Sequence, residues 1–347
     1  MRALRFTVNK RLTFRMHSIS LYQIIFALFF VYTFAVLCLW LLSHVLEDTS
    51  MMIGLYHNTM PLVFVPVILF AIMTLTDRNW FMIACLSPML WGFGAEYLHP
   101  FFNTQPNFGD QIPITFLTYN MYGIERDLAD SIDLIRDAAT DIVALQELSV
   151  SAAVLMANSL EELYPYQALH PQEAMILGHG VLSRYPIIED EVIYIQNRPS
   201  FQRVVVLYED RYPITIFNVH SKPPILGTGQ FNVRLRTSIV QDLMEKASSD
   251  PFPTVMLGDF NMTQSSDDYR RVAHNFTDLH RQVGRGLGLT FPDLSTNRTL
   301  RGVVPPFSRL DYIFYNDGMT GLRTRVWGHS GGSDHRPVWG ALALKED

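Results

Sequence analysis

The chain has 347 residues, 48% of them hydrophobic, with 27 Lys and Arg against 33 Asp and Glu and a formal net charge of −6. The length exceeds one usual domain, and the acidic balance argues against a protein that grips polyanions by bulk charge. With only Cys38 and Cys85, a disulfide framework and a thiol metal site are excluded from most of the chain.

In chain order, the first predicted elements are apolar helices. Met16 to Leu46 carries no Asp, Glu, Lys or Arg, and its centre reads IIFALFFVYTFAVLCLWLL. A second uncharged stretch runs from Thr49 to Thr76 and a third from Asn79 to Ala95. The first two exceed the roughly 18 residues that cross a bilayer, and the third sits at that limit. Three transmembrane helices are therefore expected, at about 19–46, 53–76 and 79–96, after a basic cytoplasmic N-terminus at 1–16. A buried helical hairpin is the alternative for the second and third. Arg2, Arg5, Lys10, Arg11 and Arg15 precede the first stretch and Arg78 follows the second, while the other two flanks have no Lys or Arg. The positive-inside bias then places the N-terminus in the cytoplasm and everything past residue 96 outside the cytoplasmic membrane. A linker at 97–111 carries Tyr97, Phe101, Phe102 and Phe108, aromatics suited to a membrane interface or to domain packing.

From residue 112 to 347 the pattern changes to one α/β domain with 21 Lys and Arg against 28 Asp and Glu. Strands are expected at Ile114–Tyr119, Ile142–Leu145, Gly180–Ser183, Val192–Ile195, Val204–Leu207, Ile214–Val219, Thr254–Leu257, Leu310–Tyr315 and Val338–Leu344. Helices are expected at Asp127–Ala139, Val150–Leu163, Phe231–Ala247 and Asp267–Asn275. The alternation of short apolar runs with amphipathic ones predicts mixed sheets flanked by helices.

Polar groups close several of these strands: Asn120 after FLTY, Glu147 after IVALQ, His220 after ITIFNV, Asp259 and Asn261 in GDFN. Asp311 interrupts the apolar run RLDYIF, and Asp334 and His335 stand just before the last strand. Taken singly, Glu147 is equally a helix N-terminal acid, His220 a structural histidine, and GDFN a turn. Together they supply the parts for phosphate-ester cleavage. Glu147 and Asp334 are the hard oxygen ligands that Mg²⁺ takes. A buried Asp311 needs a partner, and His335 is one that it would hold as imidazolium. Asp259 with Asn261 two residues on is a proton acceptor beside an amide that holds the phosphate.

In this order, TYNM, LQE, GVLSRYPI, NVHSKP, GDFN, RLDYIF and SDHRPV resemble the endonuclease/exonuclease/phosphatase superfamily, across the whole of 112–347. The resemblance implies a four-layered α/β sandwich. It implies that Glu147 is the principal metal ligand with Asn120 and Asp334 assisting, and that the metal is Mg²⁺, with Mn²⁺ as the alternative. His220, Asp259, Asn261, Asp311 and His335 are then catalytic, with either Asp259 or His335 as base and one metal or two. Asn218, Arg184 and Arg309 are expected to contact substrate. The activity expected is that of a membrane-anchored phosphodiesterase acting on nucleic acid or a phospholipid headgroup. The alternatives are a phosphomonoesterase on a soluble ester and a catalytically inactive binding domain. Beyond the bilayer and this substrate, no protein partner is inferable.

Overall fold

The computed structural model describes residues 20–104, 113–122, 128–173, 177–224, 231–294 and 304–345. The basic residues before position 16, linker residues 105–111 with Phe108, and Arg298 and Arg301 lie outside the described residues.

Helix α1, Leu21–Leu42, starts with a capping box: the Ser20 hydroxyl accepts from Gln23 N, and the Gln23 side chain accepts from Ser20 N. Two orphan amides are thereby satisfied. Helix α2, Met51–Thr76, and helix α3, Trp80–Tyr97, follow. Two of these helices, not the expected three, are long and apolar enough to cross a membrane: α1 and α2. Helix α3 forms where it is predicted, but Ser87, Pro88, Gly92, Gly94 and Glu96 dilute its apolar character. Only 11% of the apolar window of α1 and 28% of that of α2 is buried, so most of this surface faces away from the protein, unlike that of a core helix.

The rest is a sandwich of two six-stranded sheets. The first has the strands β1 (Ile114–Asn120), β2 (Ile142–Gln146), β3 (Tyr166–His170), β4 (His179–Ser183), β11 (Met319–Val326) and β12 (Val338–Leu344), in the order β11-β12-β1-β2-β4-β3. The second has β5 (Ile187–Ile195), β6 (Arg198–Tyr208), β7 (Tyr212–His220), β8 (Thr254–Asp259), β9 (Thr277–Asp278) and β10 (Asp311–Tyr315), in the order β5-β6-β7-β8-β10-β9. Within each sheet one central pair is parallel, β1 with β2 and β7 with β8, and the remaining pairs are antiparallel. Ile114, Phe116, Ile142 and Ala144 of one sheet meet Val204, Ile216, Leu257 and Ile313 of the other in the central core. Alternate residues face outward. Leu117 and Tyr119 pack under α4 (Ala129–Ala138) and α5 (Val150–Ser159). Phe217, Met256 and Phe314 pack under α6 (Arg234–Ser249) and α7 (Asp267–Asn275). Helix, sheet, sheet and helix make the four layers expected. Strands β3, β9 and β11 and the short helix α8 (Leu279–Val283) were not anticipated from the sequence.

The apolar helices dock on one corner of this sandwich through polar groups. Asp48, between α1 and α2, is 4% exposed. It and Asp267 each accept from the other's backbone amide, at 2.8 and 2.9 Å. Its other oxygen lies 2.5 Å from His57 Nδ1. The fully buried Arg236 of α6 reaches Asp48 at 3.6 Å, donates to Asp268 at 2.8 Å and donates to the carbonyl of Asn261 at 2.9 Å. Thr263 donates to the His57 carbonyl, Tyr97 meets Ser265 at 2.8 Å, and Gln264 donates to the Glu96 carbonyl. Removing one partner of a buried ion network leaves uncompensated charge at about 3–5 kcal/mol. Arg236→Met, which keeps the volume and strands Asp48 and Asp268, is expected to cost about that much. The reading is a lowered thermal midpoint of the full chain in detergent; an unchanged midpoint contradicts it.

Candidate active site

Strand geometry alone brings the predicted polar residues together. Along β1, β7, β8 and β10, the residues of one parity line the central core, and Asn120, His220, Asp259 and Asp311 share that parity. They therefore point into the mouth between the sheets. The parallel register of β7 and β8 sets His220 beside Asp259, and the antiparallel register of β10 and β8 sets Asp311 opposite Asp259. Glu147 follows β2 directly with φ +57°, and Asn261 has φ +49°. Left-handed backbone at non-glycine residues stores strain that the surroundings must hold, and such residues cluster at functional sites. Gly258 has a positive φ for a different reason: a Cβ there would lie 2.0 Å from the carbonyl oxygen of Val219. Only glycine lets β8 approach β7 closely at this point.

Asp259 is 1% exposed and is held by three donors. Asn261 N reaches Oδ1 at 2.8 Å, while Asn261 Nδ2 and Asn120 Nδ2 reach Oδ2 at 2.9 and 3.0 Å. Asn120 Nδ2 also donates to Glu147 at 3.2 Å, and its Oδ1 accepts from Tyr122 N. Asn120 thus orients two carboxylates through its amide nitrogen. His220 Nε2 stands 3.6 Å from Glu147 and 3.9 Å from Asp259. His335 Nδ1 lies 2.9 Å from Asp311, and its Nε2 lies 3.9 Å from Asp259. Ser333 ties this loop to β1 by donating to the Asn120 carbonyl and accepting from His335 N.

Burial raises the pKa of Asp259 well above the usual carboxylate range, with Asp311 and Glu147 adding to the rise against the opposing pull of His335 and Asn261 N. Burial likewise raises Glu147, reinforced by Asp334 and Asp311. For His335, burial opposes the charge, but Asp311 and Asp259 overcome it and hold the imidazolium, with a pKa pushed up to about 10. Crowded, desolvated carboxylates of this kind fit a divalent cation, whose charge relieves their repulsion. Asp259, Asp311 and His335 offer ligand-type atoms within 4.8 Å of one another. Glu147 and Asp334 line the same cleft of about 210 Å³.

Three residues expected to contact substrate lie away from the cleft. Asn218 is buried below the cleft, where it accepts from Gln146 and donates to the carbonyls of Leu145 and Gly180. Arg184 binds Asp141 and the Ala139 carbonyl. Arg309 is 5% exposed and forks onto Asp278. Each therefore braces the fold and none lines the cleft. Among the described residues, the cations that line it are Arg198 and Lys222, together with the aromatics Tyr122 and Phe291. Phe291 lies 4.8 Å from the His335 ring. Lys222 stands in the quoted NVHSKP; Arg198 heads a strand whose predicted start was too late to include it.

The Endonuclease/Exonuclease/phosphatase family model matches residues 117–335, and the chain belongs to that family. Its catalytic class is accordingly that of a metal-dependent phosphoric ester hydrolase. No curated protein matches the chain. Among solved structures, a family member from Bacteroides vulgatus is 18% identical with a TM-score of 0.55, covering 68% of this chain and 100% of that one. A humanized D. rerio TDP2 is 16% identical with a TM-score of 0.55, covering 67% and 99%. A mannosyl-6-phosphatase from Bacteroides thetaiotaomicron is 17% identical with a TM-score of 0.50, covering 67% and 100%. At these identities the likeness is one of fold.

The Asp311–His335 contact generates a prediction. Asp311→Asn and His335→Ala are each expected to remove most phosphoesterase activity, and the double variant to be little worse than either, because groups acting as a unit are non-additive. Steady-state rates of the four proteins check it; strictly multiplicative losses contradict it.

Proposed function

We propose that the chain is a membrane-anchored, Mg²⁺-dependent phosphodiesterase that hydrolyses the headgroup phosphodiester of a phospholipid. The observation that carries the chemistry is the convergence of Glu147, Asp259, His220 and His335 at one strand-end cleft. Glu147, with Asp334, would hold the cation, and a bound Mg²⁺ supplies Lewis-acid polarisation of the phosphoryl oxygens. Asp259 is a carboxylate raised toward neutrality, matched to taking a proton from water. Arg198 and Lys222, the cations of the cleft lining, hold the phosphate. His335, kept as imidazolium by Asp311, stabilises charge on the phosphoryl group and is not the base. His220 donates a proton to the departing alkoxide, the step that an ester leaving group requires.

The anchor supports the choice of lipid. Asp48, just before α2, and Tyr97, at the end of α3, contact the same segment, Ser265 to Asp267, a few residues past Asn261. The chain therefore leaves the domain along α2 and returns to it along α3. Thr263, two residues past Asn261, touches the first turns of α2 through the His57 carbonyl. The cleft is thus held close to the membrane surface, where headgroups are concentrated. The charge balance of residues 112–347, 21 Lys and Arg against 28 Asp and Glu, by contrast does not favour the polyanion that a nuclease must grip.

The test is the full chain reconstituted in vesicles with Mg²⁺, offered a labelled phospholipid and DNA at equal phosphodiester concentration, with a soluble phosphomonoester as the third arm. Headgroup release is expected to exceed DNA cleavage and monoester hydrolysis by at least about tenfold, or roughly 1.4 kcal/mol in transition-state terms. Faster turnover of DNA or of the monoester contradicts the lipid assignment.

A further inference from the structure

A second cavity lies apart from the catalytic cleft. It lies where the apolar helices meet the sandwich and measures about 1100 Å³. Its walls come from the end of α1, the start of α2, the second half of α3 and the first turn of α7. Three aromatic side chains line it: Trp40, Tyr56 and Trp91. Trp40 lies flat enough against α3 that a Cβ on Gly92 would come within 3.3 Å of its ring, so the glycine makes room for the indole. Trp91 is 76% exposed at the rim.

The polar lining is unbalanced. Arg270 pairs with Asp267 and also donates to the Ser265 carbonyl at 2.7 Å. Glu47 and Glu96 are two further carboxylates of the lining. Glu96 Oε1 is buried with no hydrogen-bond partner. Tyr56 is 4% exposed, and its hydroxyl is likewise buried and unpartnered. Both residues line the cavity, and two buried polar atoms left unmatched there are costly and call for a partner. A carboxylate beside aromatic faces suits an ammonium group, which the ring quadrupoles also attract. The cavity sits at the ends of the apolar helices, where amphiphiles place their headgroups.

We infer that this cavity is a binding site for a phospholipid with an ammonium headgroup, separate from the catalytic cleft, in which Glu96 and Tyr56 take the ammonium and Trp40 and Trp91 cover it. The guanidinium of Arg270, whose side chain is 54% exposed, lies on the same wall and faces the lipid phosphate. The site rests on reading α1 and α2 as membrane spans. It does not depend on which phosphodiester the cleft cuts. Its occupancy would couple the bilayer to the Ser265–Arg270 turn, and so to the loop that carries Asn261.

The experiment is native mass spectrometry of the delipidated full chain in detergent, titrated with phosphatidylethanolamine, phosphatidylglycerol or soluble glycerophosphoethanolamine. Phosphatidylethanolamine is expected to be retained about tenfold better than phosphatidylglycerol. Glu96→Gln is expected to weaken its retention about tenfold, in line with the loss of a charge-assisted hydrogen bond. The same variant should leave phosphatidylglycerol retention, the thermal midpoint and hydrolysis of bis(p-nitrophenyl) phosphate unchanged. Equal retention of the two lipids overturns the proposal, as does indifference to Glu96→Gln. Retention of the soluble headgroup as tight as that of the lipid shows an amine site and not a lipid site, and also overturns it. Flotation of the chain with carbonate-washed vesicles tests the membrane reading on its own. A chain that floats but shows no headgroup preference sinks this inference alone.

Discussion

The structure turns on one constraint: several carboxylates must stay buried side by side at the mouth between two sheets. Such groups are tolerated only where donors and positive charge converge on them. Asp259 therefore draws in Asn120 and Asn261, and Asp311 draws in His335. The backbone yields as well, with Glu147 and Asn261 held in left-handed conformation and Gly258 pressed against β7. The same crowding that would destabilise a simple core is what makes the cleft receptive to a divalent cation. It also separates the roles of two neighbouring groups, since Asp259 moves toward neutrality while His335 is kept charged.

A second layer supports the first. Gln146, Asn218 and Thr118 form a buried polar network directly beneath the cleft. It satisfies its own polar atoms within the central core and keeps the ends of β2 and β7 in register. On the other flank, Arg236 joins the Asn261 carbonyl to Asp268 and to Asp48 of the apolar hairpin. The catalytic loop and the hairpin thus share one buried ion network. The apolar helices and the cleft are physically linked through it.

The parts of the site that were legible in the sequence were those fixed by strand periodicity. Asn120, His220, Asp259 and Asp311 were found because each ends or opens an apolar run, and alternation then sends all four to the same face. Asp311 stood out because an acid between Leu310 and Tyr312 needs a partner. What could not be read was pairing across the fold. Asn218 has the same parity as His220, yet lies one step deeper, where Gln146 claims it. Arg309 looked like a substrate contact until Asp278, far along the chain, was seen to enclose it. Strands β3 and β11 lie at the edges of their sheet, and β11 carries Arg323 and Arg325, so neither presents a continuous apolar run. Helix α3 was over-read for a related reason. An absence of charge is not the same as apolarity, and its Ser, Pro and Gly residues lower it below the other two.

The central claim is that Glu147 and the carboxylates around it form a divalent-metal site. The most direct measurement is Mn²⁺ binding followed by electron paramagnetic resonance of the full chain in detergent, comparing the wild type with Glu147→Gln. The account predicts that the wild type takes up Mn²⁺ in competition with Mg²⁺ and that the variant, still folded, loses at least about tenfold in affinity, the loss that removal of one charged oxygen ligand should cause. Equal Mn²⁺ affinity in the two proteins, or no uptake by the wild type, would contradict it.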